Sequence, residues 1–285
     1  MFRPVDTRDR HAVENEIQSI YRTHFPQGKS AFVAMAFGWV ADCFAGKFRD
    51  YQAIDARYHD LEHTMQGTLC MARLMAGYAA AAAEPVLDAR RFELGLLAIL
   101  LHDTGYLKLR GDDEGTGAKY TLIHVGRSAD FAEMLLGEKG YSPTDIATVR
   151  QMIRCTGVNT DVTALNFAGT LERKLGFALG TADLLGQMAA PDYIEKLPVL
   201  YLEFAESARS PYGRMSPPPF ASQEDLTRRT PAFWEKFVLP KINVQFEGLY
   251  QFLNSPYPDG PNEYLDRVEV NIARLRERLK EQPAC

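Results

Sequence analysis

The stretch that decides the fold is residues 55–75, DARYHDLEHTMQGTLCMARLM, where an apolar helical pattern follows two histidines. From Met65 onward, apolar residues recur at steps of three and four, so we predict a helix that begins near Asp60. His59 and His63 are four residues apart and fall on one side of such a helix. Either both bind one ion, or one binds the ion while the other donates a proton to a substrate.

The same helical spacing continues along the rest of the chain, and alternating β-type runs are hard to find. We therefore predict an all-α fold, a helical bundle. Glycine, proline and capping residues separate the predicted helices. These cover residues 8–22, 31–48, 60–83, 90–106, 121–136, 143–154 and 170–188, then a helix that starts near 191, and finally 263–281.

Composition excludes several classes of protein. The 285 residues are 46% apolar and 24% charged, which is typical of a chain that folds around a core. The net charge of -5 argues against a nucleic-acid-binding surface, although local cations can still bind a small anion. The four cysteines form no CxxC pair, and neither a signal peptide nor a membrane-spanning run is evident. We expect a soluble cytoplasmic protein with reduced thiols and no membrane partner.

Two groups of residues suggest metal chemistry. His102 and Asp103 directly follow the apolar run LGLLAILL, and Asp183 lies inside another apolar helix. Burying these groups is costly unless something compensates them, and a divalent cation does so directly. Together with His63 they form a set of two histidines and two carboxylates. Such a set suits Mn, Fe, Zn or Mg, and hydrolysis more than electron transfer.

This order of residues resembles the HD-domain/PDEase superfamily of metal-dependent phosphohydrolases, whose fold is a helical bundle. YHDLEHT is similar to the YHNxxHA motif of the cyclic-nucleotide phosphodiesterases, and the resemblance covers roughly residues 55–190. It implies a core at 55–208, with N-terminal helices (1–54) packed on it and a Pro-rich loop and C-terminal helices (209–285) that complete the same domain.

The resemblance also implies the site. His59 would be the general acid, and His63, His102, Asp103 and Asp183 would bind the first metal ion. Asp103 would also be catalytic, by bridging to a second ion. The cofactors would be one or two divalent ions, Mn, Mg, Fe, Ni or Zn. At the motif itself, Asp60 replaces Asn and Thr64 replaces Ala, and neither change removes a ligand.

A second segment bears on His124. KYTLIHVGRSADFAEMLL resembles the HPxxGxxxL segment of the cyclic-di-nucleotide branch, which would make His124 a ligand or phosphate contact at a second metal ion. That branch continues with paired histidines, whereas the corresponding stretch here, VRQMIRCTGVNT, has none. We therefore do not expect a histidine-rich second metal site or cleavage of cyclic dinucleotides. A buried structural histidine is the alternative for His124.

Cationic and polar residues near His124 are the candidates for substrate binding. They are Lys119, Tyr120 and Arg127, with Lys108 and Arg110 in the preceding loop. Gln187 either orients Asp183 or contacts the nucleobase of a substrate. The expected function is hydrolysis of a small phosphorylated substrate, preferably a nucleotide-like phosphodiester, by metal-activated water. The alternatives are a phosphomonoesterase or nucleotide phosphohydrolase, and a catalytically silent HD-type regulatory or binding module.

Two further segments are left with alternatives. The stretch SARSPYGRMSPPPFASQ is either a linker or a lid. In the last predicted helix, apolar residues form a heptad-like seam. This seam either packs back on the bundle or forms a homodimer contact.

Overall fold

The computed structural model describes residues 2–213 and 219–281. The centre of the Pro-rich stretch and Cys285 lie outside these residues. The described part contains ten α-helices and no β-strand, so the all-α prediction is confirmed. The helices are α1 (Arg10–His24), α2 (Phe32–Phe44), α3 (Leu61–Ala80), α4 (Ala89–Leu101), α5 (His124–Glu138), α6 (Pro143–Arg154), α7 (Thr170–Met188), α8 (Tyr193–Arg209), α9 (Gln223–Phe233) and α10 (Glu263–Glu281).

Short helical turns connect several of these elements. Single 3₁₀ turns lie at Thr104–Tyr106, Gly117–Tyr120, Val162–Ala164 and Leu249–Leu253, and π turns lie at Trp234–Val238 and Lys241–Gln245. The centre of the molecule is α4, in which every residue from Phe92 to Leu101 is buried. Helix α3 packs against α7, α1 and α4. The apolar character of α4 on all sides therefore reflects a helix surrounded by others.

Glycines allow α3 and α7 to cross closely. A Cβ atom on Gly186 of α7 would lie 2.8 Å from the carbonyl oxygen of Gln66 and 2.9 Å from Cα of Gly67, both on α3. A Cβ on Gly67 would lie 3.8 Å from Cα of Asp183. Because neither residue carries a side chain, the two backbones approach within contact distance. This crossing places Asp183 of α7 opposite the first turns of α3.

Beside the histidines, the predicted start of α3 near Asp60 agrees with the structure, whereas the predicted end of α4 is wrong. Helix α3 begins at Leu61, because the carboxylate of Asp60 caps it by accepting a hydrogen bond of 2.8 Å from the N–H of His63. His59 therefore precedes the helix and does not share its first turn with His63. Helix α4 ends at Leu101 and does not continue to residue 106. His102 and Asp103 follow its last turn and lead into the 3₁₀ turn Thr104–Tyr106.

Helix α10 packs against the rest of the chain. Its residues Val268, Ile272 and Leu275 are buried, and the side-chain amide of Asn271 donates to the carbonyl oxygens of Met188 and Ala190 at the end of α7. The predicted seam is thus used within the chain itself. A homodimer through this helix stays a prediction, as does the division of the chain into three parts.

The remaining general predictions concern membranes and cysteines. None of the helices in the described residues combines the length and the apolar character that crossing a membrane requires. Cys43, Cys70 and Cys155 are free and buried. Burial raises the pKa of the Cys43 and Cys155 thiols to about 12 each, so these thiols stay protonated at neutral pH.

Candidate metal centre

The four predicted metal ligands lie close together beside the α3–α7 crossing. Nε2 of His63 lies 3.2 Å from Oδ2 of Asp103 and 3.4 Å from Oδ1 of Asp183. Nε2 of His102 lies 3.2 Å and 3.4 Å from the same two oxygen atoms. Helix α3, the end of α4 and the middle of α7 thus each contribute to one cluster. His63, His102 and Asp183 form one group that could hold a metal ion, and His59, His63 and Asp103 form an overlapping one.

Two atoms of this cluster are buried without a hydrogen-bond partner, Nε2 of His102 and Oδ2 of Asp103. The opposite ring nitrogen of His102, Nδ1, lies 2.7 Å from the carbonyl oxygen of Ile99. Since a carbonyl oxygen only accepts, Nδ1 carries a proton, and the neutral form of the ring has its lone pair at Nε2. That lone pair faces a carboxylate oxygen in a buried site, which is unfavourable unless a proton or a cation lies between them. The donor set therefore fits a divalent cation.

The charges of the cluster reinforce one another. Burial disfavours a charged imidazole, but the close contacts with the Asp103 and Asp183 carboxylates outweigh it and raise the pKa of His63 to about 9. Burial also disfavours the charged carboxylates, but the neighbouring histidines, His102 first among them, lower the pKa of both. Asp103 and Asp183 are consequently ionised at neutral pH and can act as anionic ligands.

His59 is held by a carboxylate that the sequence analysis missed. Its Nδ1 lies 2.6 Å from Oε2 of Glu203 on α8, and Oε1 of Glu203 accepts hydrogen bonds of 2.7 Å from the N–H groups of Arg57 and Tyr58. Glu203 is only 4% exposed. The signal that could have found it is the apolar run LYLEFA, which encloses a single acid just as the run around Asp183 does.

Tyr106 is a second residue that the sequence analysis missed. It is fully buried, and its ring stacks on that of His59 at a centroid distance of 4.4 Å and an interplanar angle of 11°. The ring of His124 stacks on Tyr106 as well, with centroids 4.7 Å apart. No sequence pattern marks a tyrosine for this role, because an aromatic residue after HDTG is equally typical of a core position. Tyr106 fixes the planes of both imidazoles.

His124 and Gln187 each contact one of the two aspartates of the cluster. Nε2 of His124 lies 3.8 Å from Oδ1 of Asp103, the oxygen that does not face His63 and His102, and its Nδ1 lies 2.6 Å from the carbonyl oxygen of Thr121. Burial lowers the pKa of His124. The amide nitrogen of Gln187 donates to the carbonyl oxygen of Asp183, while its Oε1 accepts from the Tyr58 hydroxyl at 2.7 Å. Gln187 therefore lies where it can orient Asp183.

Comparison with protein-family models assigns the chain to a family. The model of the Npun_R2479-like family matches residues 109–254, about half of the sequence. The chain belongs to the Npun_R2479-like family. The matched range includes His124, Asp183 and Glu203, whereas the His59–His63 segment and the His102–Asp103 pair precede it. No curated protein matches the chain.

In this member of the Npun_R2479-like family, the predicted phosphate contacts are engaged inside the protein. Lys119 pairs with Asp112, and the hydroxyl of Tyr120 donates to the same carboxylate. Arg127 lies over the Tyr120 ring and donates to two carbonyl oxygens of the 105–107 turn. Further internal bonds join Lys108 to Asp55 and Gly115, and Arg110 to Gly46. These side chains brace the 107–117 loop, and their binding of a substrate stays a prediction.

Proposed function

We propose that this protein is a metal-dependent phosphohydrolase of the HD type that prefers nucleotide-like phosphodiesters. The single observation that carries the proposal is the pair of buried, unpartnered atoms, Nε2 of His102 and Oδ2 of Asp103, 3.2 Å apart within a set of two histidines and two carboxylates. A buried set of this composition would be an expensive structural element, whereas it is a suitable ligand set for a divalent cation.

The chain's own groups prepare the ligands. A divalent cation held by His63, His102, Asp103 and Asp183 would supply Lewis-acid catalysis and lower the pKa of a water molecule that attacks phosphorus. The Ile99 carbonyl oxygen sets the tautomer of His102, and Gln187 holds the backbone of the Asp183 turn. Oδ1 of Asp103 and Nε2 of His124 offer two ligand atoms for a second cation. The ion remains one of Mn, Mg, Fe, Ni or Zn.

His59 serves as the general acid in this proposal. Oε2 of Glu203 accepts a hydrogen bond from Nδ1–H of His59, so the opposite nitrogen of the ring is available to donate a proton to the leaving oxygen. His59 offers a ligand atom within 4.8 Å of those of His63 and Asp103, so a phosphate ester bound at the cluster would lie within its reach. An alkoxide leaving group gains most from a positioned acid, which is why we favour a phosphodiester over a monoester.

The testing experiment is a hydrolysis screen of purified protein against phosphodiesters, cyclic nucleotides, nucleotides and phosphomonoesters, with each candidate ion added in turn. Asp103→Ala is the inactive reference, and His11→Ala, at an exposed histidine of α1, is the matched control. We expect metal-dependent diester hydrolysis by the wild type and by His11→Ala only. Bound metal without hydrolysis of any ester would favour the silent binding module. A purified protein that lacks both bound metal and metal-dependent activity would overturn the proposal.

The acid role has its own test. His59→Ala should lose hydrolysis of alkyl esters by about 10²–10⁴-fold, the usual contribution of general acid catalysis. It should retain most activity on nitrophenyl esters, because nitrophenolate leaves without a proton. Equal retention of both activities would remove His59 from the mechanism while leaving the metal site intact.

A further inference from the structure

Arg57 is an exposed cation beside the candidate site whose guanidinium has no partner in the described residues. No side chain or carbonyl group within 2–213 and 219–281 forms an ion pair or hydrogen bond with it. This distinguishes it from the cations of the neighbouring loop, Lys108, Lys119 and Arg127, whose donors are engaged. Arg57 is thus a positive charge that remains available to a ligand.

The backbone of Arg57 is tied to the general-acid candidate. Its N–H donates to Oε1 of Glu203, and Oε2 of the same carboxylate contacts Nδ1 of His59. One carboxylate and two hydrogen bonds therefore connect the Arg57 backbone to the His59 ring. Because Glu203 is buried on α8, this anchor is rigid. Arg57 is rooted on the His59 side of the cluster.

Arg57 is exposed, whereas most of the candidate metal ligands are buried. His63, His102 and Asp103 are 3%, 1% and 2% exposed, whereas Arg57 lies at the surface. A substrate with its reacting phosphate at the cluster would extend its leaving half past His59 toward the rim. A guanidinium there binds phosphate oxygens through two parallel hydrogen bonds.

We propose that Arg57 recognises a second phosphate on the leaving half of the substrate, so that the preferred substrate class is a phosphodiester whose leaving alcohol is itself phosphorylated. This inference rests on the proposed function. It assigns Arg57 to substrate selection and to neither metal binding nor proton transfer.

Two matched substrates test the inference: a dinucleoside monophosphate, and the same compound with an additional phosphate on the leaving nucleoside. The leaving oxygen is chemically the same in both. We compare kcat/KM for the wild type, Arg57→Ala, Arg57→Lys and the control Arg22→Ala. Arg22 is also exposed, but it adjoins Tyr21, which contacts Glu93 in the first turns of α4, at the far end of that helix from His102.

Arg57→Ala should lower kcat/KM about ten- to a hundredfold for the phosphorylated compound, the range expected from charge-assisted hydrogen bonds. The other compound should be unaffected, Arg57→Lys should be intermediate, and Arg22→Ala should match the wild type. An equal loss for both compounds would place Arg57 on the reacting phosphate, and no loss for either would remove it from recognition. Both results overturn the inference.

A binding measurement separates this inference from the proposed function. Equilibrium binding of the two compounds is compared in the presence of Mn²⁺, in the His59→Ala background and again with Arg57→Ala added. A preference for the phosphorylated compound that disappears with Arg57→Ala supports the inference even if the wild type hydrolyses neither compound. Equal binding of both compounds to the His59→Ala protein counts against Arg57 whatever the activity.

Discussion

Nδ1 of His59 lies 2.6 Å from Oε2 of Glu203, although 144 residues separate the two in the chain. Burial alone would raise the pKa of Glu203, but the charge and hydrogen bond of His59 and the N–H groups of Tyr58 and Arg57 lower it. The carboxylate is therefore ionised and fully hydrogen-bonded at neutral pH. It holds the His59 ring in one orientation, and in the proposed mechanism it acts as a positioning residue.

The first prediction follows from this pair. Glu203→Gln should lower kcat for alkyl esters with little change in KM or metal content, because the orientation of the acid is lost but not the metal site. In the double variant, Glu203→Gln should add little to the loss caused by His59→Ala, since both changes remove one function. Steady-state kinetics on the four proteins measure this. Fully additive losses would show that Glu203 acts independently of His59.

The second prediction concerns the ligand set. His102→Ala and Asp103→Ala should each bind no metal and show no activity, whereas His59→Ala should retain the metal. Metal content and thermal unfolding with and without added ion provide the measurements. A ligand at a hundred times its Kd stabilises the folded state by about 2.7 kcal/mol, and this gain should vanish in the two ligand variants. Metal retention by Asp103→Ala equal to that of His11→Ala would contradict the assignment.

The third prediction concerns the α3–α7 crossing. Gly186→Ala would bring a methyl group within 3 Å of the α3 backbone, which cannot move aside as a side chain can. We expect a loss of about 1–3 kcal/mol in the free energy of unfolding, typical of overpacking. Weaker metal binding should accompany it, because the helices that carry His63 and Asp183 are pushed apart.

Gly137→Ala is the control for this crossing. Gly137 also lies in a helix, but open space surrounds the position of its Cβ, so the change should be neutral or stabilising by up to about 1 kcal/mol. Urea denaturation and metal titration of both variants make the comparison. Unaltered stability and metal affinity in Gly186→Ala would mean that the crossing does not set the geometry of the cluster.

The fourth prediction concerns Lys241, a buried lysine that lies beside Phe237 and Phe246. Burial lowers its pKa from 10.5, and Cys155 opposes the change only in part. Between this lowered pKa and 10.5, the unfolded chain binds a proton that the folded chain does not, so stability rises with pH across that window. Below the lowered pKa both states bind the proton, and Lys241 adds no pH dependence.

Lys241→Met should abolish this rise. The measurement is the free energy of unfolding from urea denaturation at several pH values between 7 and 10.5, compared between the wild type and the variant. The difference, wild type minus variant, should increase with pH, since the other titrating groups are shared. A constant difference across the range would show that Lys241 titrates in the folded protein as it does in the unfolded chain.

The sequence predicted most of the helices because their apolar spacing records which face is buried. The bounds of α6, α7 and α10 agree with the predicted ranges. The predicted start of α3 near Asp60 is right, but His59 lies outside the helix that was expected to align it with His63. The predicted end of α4 is wrong, because the helix stops at Leu101. A spacing argument alone cannot separate a residue inside a first turn from one just before it.

Some residues of the candidate site could be predicted from the sequence, and others could not. His63, His102, Asp103 and Asp183 could be selected because each is a polar residue beside or within an apolar run, and the structure brings them together. The surroundings of these residues depend on contacts between distant segments. Thus Glu203 was missed, and the internal partners of the cations near His124 could not be foreseen, whereas the binding of a substrate by these cations stays a prediction.

The hydrogen bonds that Nδ1 of each imidazole donates differ in whether a point mutation can remove the acceptor. His102 and His124 each donate through Nδ1 to a main-chain carbonyl three residues earlier, and every amino acid supplies such a carbonyl. No substitution at Ile99 or Thr121 deletes the acceptor. His59 instead depends on a side chain, which one nucleotide change in the codon of Glu203 can remove. Under the proposed function, a single substitution can therefore disturb the orientation of the proton donor more readily than that of the ligands, and the expected product is a protein that binds metal but turns over slowly.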